Sequence, residues 1–345
     1  MLEWISSGGK MVKTVEQKIS SIVMVARVFA LVSIVCAHIG FTSNVPYIIA
    51  KLYSAVASIG VICYLICSAY YYNPKKYTLI GLLKNKAKSI GLPWLFLGTV
   101  GYLYNGVLSK SLSLISYLRW MVGNGTYLYF LTILILCFLI FYRTNKIVLY
   151  CAIGVNIISL ILTALGILGP VISALHITNY LNIFNWVGVF ALGMLAKQVS
   201  EEKLYNFLYK SRFITLALFA ITVILVCIFD IKTGYFSYIG IWFELLGTLA
   251  ILGASTIRVF ENKLFYDISN LSFTIYLIHM MVIGIFDRLY NLNFVLQAAA
   301  VFIIIGICYG ILFVGRCIIK LIKLEKHLYP LFGFRNRTIE KKEQQ

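Results

Sequence analysis

Ten apolar stretches, almost free of charge, follow one another along the chain at roughly 21–41, 48–72, 90–108, 127–142, 147–168, 183–197, 213–230, 235–257, 269–287 and 293–315. An α-helix needs about 20 apolar residues to cross roughly 30 Å of hydrocarbon. Inside that hydrocarbon every backbone amide must be satisfied within the protein, which a helix does by itself. The chain's 345 residues are 61% hydrophobic and 12% charged, about half the charge of an ordinary soluble domain. Too few polar residues remain to cover a soluble core. The expected fold is all-α: a polytopic integral membrane protein of about ten transmembrane helices. Secreted disulfide scaffolds, disordered chains and soluble dinucleotide-binding enzymes are excluded on the same ground.

Lys and Arg collect on the cytoplasmic side of membrane proteins. With the N-terminus inside, 24 of the 30 Lys and Arg fall in inside segments and 5 in outside ones, while Arg27 lies within the first stretch. The net charge of +18 would suggest nucleic acid in a polar chain. Here it marks a topology with both termini cytoplasmic, and the partner it implies is the lipid bilayer, not nucleic acid. The domain reading is a cytoplasmic N-terminal tail over 1–20, a membrane domain over 21–315 and a basic cytoplasmic tail over 316–345. The tail suits contact with anionic lipid. The first stretch is too long for a cleaved signal peptide, carries Arg27 and lacks a small-residue cleavage site. The eight cysteines sit in or beside apolar runs with no metal-ligand spacing, so no metal is expected.

A charge at mid-membrane costs about 2.5–3.5 kcal/mol on insertion scales, which makes ionisable residues there candidates for function. Arg27 and His38 in the first stretch, Glu244 in the eighth and His279 in the ninth stand out. Asp230 and Asp287 fall at outer helix ends and read as interfacial. Arg27 and His38 are eleven residues apart, close to three helical turns, so they share one face with an offset of roughly 16 Å. Both can line one cavity. The same spacing also fits a snorkelling arginine and a histidine bonded between helices. Glu244 should be protonated or paired at that depth, with Arg27 or a histidine as partner. Ser68 either bonds a helix carbonyl, the preferred reading, or faces substrate. Lys84, Lys86 and Lys88 form the densest inner cluster. In a helix Lys84 and Lys88 share a face and Lys86 points away. Ordinary positive-inside anchoring explains them as well as a ligand does. Trp120, Tyr127 and Tyr129 near the outer face are placed to stack on a sugar or to serve as belt aromatics.

Arg27-Val-Phe-Ala-Leu-Val-Ser-Ile-Val-Cys-Ala-His38 resembles the R-x10-H signature of the acyltransferase type 3 family of bacterial membrane-bound acyltransferases. Further similarities follow in that family's order. Tyr64 to Tyr70 resembles its second-helix stretch, with Ala69 where glycine is usual. Lys84 through Pro93 resembles the basic segment before its third helix, with lysines where arginines are usual. Tyr127 to Leu131 resembles its "hLWFL" stretch with Tyr129 in the tryptophan slot, Phe190 to Met194 its "FFxxGm" helix, and Ser272 to His279 its "Sl-IYLiH" helix.

The resemblance implies O-acyl transfer, usually of acetyl from acetyl-CoA as co-substrate, to a hydroxyl of a cell-surface polysaccharide or lipid-linked glycan at the bacterial cell membrane. On that reading His38 is the base or a covalent acyl relay, and Arg27 meets the donor. Lys84, Lys86 and Lys88 bind donor phosphates. His279, Tyr276, Glu244 and Ser68 line or support the cavity. The alternative is a secondary transporter or glycan exporter that uses the intramembrane Arg, His and Glu for coupling.

Overall fold

The computed structural model describes residues 13–41, 45–57, 59–109, 112–289 and 294–334. Among them the protein is helical throughout, with no strand. Of the cations used in the topology, Lys10, Lys110, Arg335, Arg337, Lys341 and Lys342 lie outside the described residues. α1 (Val15–Cys36) starts at Thr14, whose hydroxyl accepts the Gln17 amide while Gln17 accepts the Thr14 amide, a capping box that satisfies two orphan donors. The second apolar stretch holds α2 (Tyr47–Ala57) and α3 (Ile59–Tyr70), on either side of Ser58, which lies outside the described residues. Ser33 of α1 bonds both helices: its Oγ accepts from the Gly60 amide at 2.8 Å and donates to the Val56 carbonyl.

α4 (Leu79–Lys86) runs through a π-helical turn at Ala87–Gly91 into α5 (Leu92–Ser109), followed by α6 (Leu114–Val122), α7 (Tyr129–Ile140) and α8 (Lys146–Ala164). The second half holds α9 (Gly169–Ala174), α10 (Val187–Ala196), α11 (Glu201–Ile228), α12 (Gly240–Ala254), α13 (Lys263–Leu289), α14 (Phe294–Ala298), α15 (Ala300–Leu321) and α16 (Glu325–Phe332). Every apolar stretch of the sequence holds a helix. Six segments, Val15–Cys36, Tyr47–Tyr70, Lys146–Ala164, Glu201–Ile228, Lys263–Phe286 and Ala300–Leu321, are long and apolar enough to cross a membrane. Tyr129–Ile140, Val187–Ala196 and Gly240–Ala254 are apolar but shorter.

Several helices outrun their apolar stretch. α11 begins twelve residues before the expected 213, because Ser200 caps it by accepting the Lys203 amide and Glu201 and Glu202 lie in its first turn, where acids favour the helix dipole. α15 continues to Leu321, and α16 then folds back on α5, with Phe332 against Phe96 at 5.3 Å and its carbonyl accepting from Thr274 Oγ1 at 2.7 Å. The first part of the expected tail is therefore docked helix.

α1 is the centre of the bundle: 67% of its apolar window is buried, against 17% for α11 and 28% for α15. It packs on α3 and α13, and α10 packs between α3 and α8. Ile19 and Ile22 of α1 meet Tyr70 of α3, so the N-terminal end of α1 lies beside the C-terminal end of α3. Helices in lipid approach closely where a residue is small. Gly193 of α10 is such a point, because a Cβ there would strike the Ile66 carbonyl and lie 2.7 Å from Ala69 Cβ. The alanine at 69, unusual for the resembled family, is accommodated by this glycine. Gly193→Val should therefore lower stability by about 1–3 kcal/mol, the ordinary cost of overpacking, read as a fall in the thermal unfolding midpoint of the detergent-solubilised protein.

Candidate active site

Arg27 lies half-buried on α1 and does not run to the helix end. Its Nη2 donates to Ser272 Oγ of α13 at 2.9 Å, and Ser272, fully buried, donates onward to the Ser269 carbonyl at 2.8 Å. Tyr64 of α3 donates its hydroxyl to the Arg27 carbonyl at 3.0 Å. Three helices thus meet at Arg27, α13 at its guanidinium and α3 at its backbone carbonyl, and the interhelical role competes directly with the snorkelling one.

His38 is not on the helix that holds Arg27 but on the turn that ends it. α1 stops at Cys36, where the Ala37 amide is shared by the Ser33 and Ile34 carbonyls and the His38 amide bonds Val35 at 3.1 Å. That tightening is the usual way a final turn uses its orphan carbonyls. A strict three-turn spacing therefore does not hold, yet His38 still faces α13. Its ring centroid is 5.2 Å from that of His279 and 6.2 Å from that of Tyr127. Tyr127 is 5.2 Å from His279 and 5.6 Å from Tyr276. His279 has no solvent exposure, and its Nδ1 is 2.6 Å from the Tyr276 carbonyl.

The phenols are tied to backbone. Tyr127 donates to the Leu277 carbonyl at 2.8 Å, and Tyr276 donates to the Tyr127 carbonyl. The segment carrying Tyr127 turns at Gly123, which holds φ +84° and whose added Cβ would collide with the Tyr129 amide and the Leu128 carbonyl carbon. Only glycine tolerates both conditions. The sequence places Tyr127 near the outer face; its packing against both histidines has no signature in local spacing.

Glu244 of α12 is 1% exposed and lies within electrostatic reach of Tyr129, Tyr180 and Tyr235. Those rings belong to a nest in which Tyr235 stacks on Trp186 at 4.3 Å and Tyr129 lies 4.7 Å from Tyr180. A buried amide network backs the nest, with Asn156 Nδ2 donating to the Asn185 carbonyl and Ser159 donating to Asn185 Oδ1, both at 2.7 Å. No motif had pointed to these asparagines. Asp230 at the same end accepts from Tyr47 at 2.7 Å and pairs with Lys51, which hold its carboxyl below the usual range. The Asp287 side chain lies outside the described residues. Ser68 is half-buried one turn past Tyr64, and its hydroxyl bonds no described residue, so the preferred bond to a helix carbonyl is not formed among the described residues.

The lysines separate as the helical spacing requires, Lys84 and Lys88 exposed and Lys86 turned inward with Nζ 3.6 Å above the Phe138 ring. Burial pushes the Lys86 ammonium down to about 8. This end of the bundle, the one with the N-terminus of α1, also carries a groove of about 660 Å³ between residues 74–78 and 142–145, rimmed by Lys75, Lys76 and Arg143. Neither histidine borders that groove. Among the described residues no three His, Cys, Asp or Glu side chains converge as a metal ion would need.

The sequence profile of a known family, described as an acyltransferase domain, matches residues 23–315, nearly the whole chain. No curated protein and no solved structure matches it. The match spans Arg27, His38, Ser272 and His279 together. Ser272→Ala leaves the guanidinium without its partner, so we expect a stability loss of about 1–3 kcal/mol. Ser272→Thr, which keeps the hydroxyl, should retain most of it; thermal unfolding of the two variants in detergent checks the difference.

Proposed function

The chain belongs to the acyltransferase domain family, and from that premise we propose that it moves acetyl from acetyl-CoA to a hydroxyl of a cell-surface polysaccharide or lipid-linked glycan at the bacterial plasma membrane. Acyl transfer to an alcohol needs a base for the hydroxyl and a way to bring a thioester to it. The observation that carries the reading is the α1–α13 seam, where Arg27 with Ser272 and His38 with His279 lie in sequence along two neighbouring helices. In the proposed topology of ten crossings with both termini cytoplasmic, the Arg27 end opens inward, where coenzyme A is. The His38 end faces outward. Histidine has an unperturbed pKa of about 6.5, which suits the base.

On this reading the donor's phosphates meet Lys84, Lys86 and Lys88, and the pantetheine arm runs past Arg27 toward His38. The acyl carbonyl carbon bonds to the acceptor oxygen, the carbon–sulfur bond breaks, and the hydroxyl proton passes through His38 to the departing thiolate. The tyrosine nest around Glu244 offers aromatic faces on the acceptor's side of the bundle.

Two outcomes test this. In nanodiscs with radiolabelled acetyl-CoA and an envelope glycan extract, Arg27→Ala and His38→Ala should each cut label transfer by about 10²-fold or more; full transfer by both variants would refute the assignment. The donor's KM should also respond to pH through Lys86. Its ammonium is charged below about 8 and neutral above, so KM for acetyl-CoA should rise between pH 7 and 9, and Lys86→Ala should remove that rise.

A further inference from the structure

We propose that His279 is a positioning residue for His38: its Nε2 accepts the ring N–H of His38 and so selects the tautomer of His38 whose other nitrogen is bare toward the acceptor hydroxyl. The inference rests on His38 being the base and goes beyond it by naming what makes it one.

The argument starts at the Tyr276 carbonyl. A carbonyl oxygen only accepts hydrogen bonds, so at 2.6 Å from it the Nδ1 of His279 must carry a proton. In a neutral imidazole the other nitrogen is then a lone pair. That nitrogen, Nε2, is fully buried and has no hydrogen-bond partner. Buried polar atoms are rarely left so, and each exception calls for an explanation.

Three rings surround His279: His38, Tyr127 and Tyr276, at 5.2, 5.2 and 5.8 Å. Both phenol protons are already committed, to the Leu277 and Tyr127 carbonyls. Arg27 is engaged by Ser272. His38 is the neighbouring ring with an N–H still to give. Its distance suits the purpose: an N–H···N bond of about 2.9 Å, with about 1.1 Å from ring centre to nitrogen at each end, gives a centroid separation of about 5.1 Å. His38 sits half-buried on a turn beyond the end of α1, so rotating its ring into line disturbs no helix. Catalytic hydrogen bonds commonly tighten only when substrate binds.

The proton inventory closes. The acceptor's O–H proton goes to the bare nitrogen of His38, the oxygen attacks the thioester carbon, and the thiolate leaves with that proton. His279 neither gains nor loses one; it holds the His38 N–H throughout, as the backbone carbonyl of Tyr276 holds its own.

The chain has four histidines, so ¹⁵N-histidine labelling of the full-length protein in nanodiscs gives a spectrum that four His→Gln variants assign. In the wild type His38 should show one protonated and one bare ring nitrogen. His279→Ala should average the two His38 signals and lower kcat about 10²-fold, with KM for acetyl-CoA within twofold. His279→Gln, whose amide oxygen can accept the same N–H, should restore the single tautomer and about a tenth or more of kcat. His38 signals that are the same in the wild type and both variants, or an unchanged kcat in His279→Ala, would overturn the proposal. The spectrum does not depend on turnover, so a failure of the acyltransfer reading itself, shown by an active His38→Ala, is recognised separately.

Discussion

A guanidinium inside an apolar bundle must be hydrogen-bonded, and the bond from Arg27 to Ser272 at 2.9 Å ties α1 to α13 in one register. Leaving a buried hydrogen-bonding group unpaired costs about 1–3 kcal/mol, so any sliding of the two helices that breaks this contact carries a penalty of that order. The register it selects also decides what lies at the far end of α1. His38 reaches α13 at His279, seven residues and roughly 10 Å beyond Ser272. The site at one end therefore depends on a hydrogen bond at the other.

The remaining supports are of one chemical kind, side-chain hydroxyls bonded to backbone carbonyls. Tyr64 bonds the Arg27 carbonyl, Tyr127 that of Leu277, Tyr276 that of Tyr127, and Ser33 that of Val56 in α2. Hydrophobic burial is a weak organiser when the solvent is lipid, and packing with interhelical hydrogen bonds takes its place. These bonds link α1, α3, α13 and the turn after Gly123 into one rigid unit. Its members are far apart in sequence, as with Tyr127 and Leu277.

Much of this was legible in the chain. Apolar length located the helices, and the rarity of ionisable residues in them pointed to Arg27, His38, Glu244 and His279 before any fold was known. Helix ends were harder to read. α11 starts at Glu201 and α15 runs to Leu321, because capping and charge carry a helix past the point where its hydropathy falls. Pairings were the least legible. For Glu244, which had Arg27 or a histidine as possible partners, the electrostatic neighbours include Tyr129, Tyr180 and Tyr235. Ser68, expected to bond a helix carbonyl, bonds none among the described residues.

The sequence by itself determined that the chain is a bundle of membrane-type helices and which few costly side chains inside it are candidates for its chemistry. Both follow from transfer free energies that each segment has alone. Only the tertiary structure decided that Tyr127 packs against both histidines, that Lys86 lies over the Phe138 ring, and that the Tyr276 carbonyl fixes the proton of His279. Those facts depend on how nearly uniform apolar surfaces settle against one another. That choice rests on close contacts such as Gly193 on Ile66 and Ala69, and on hydrogen bonds between residues far apart in the chain, neither of which leaves a period in the sequence.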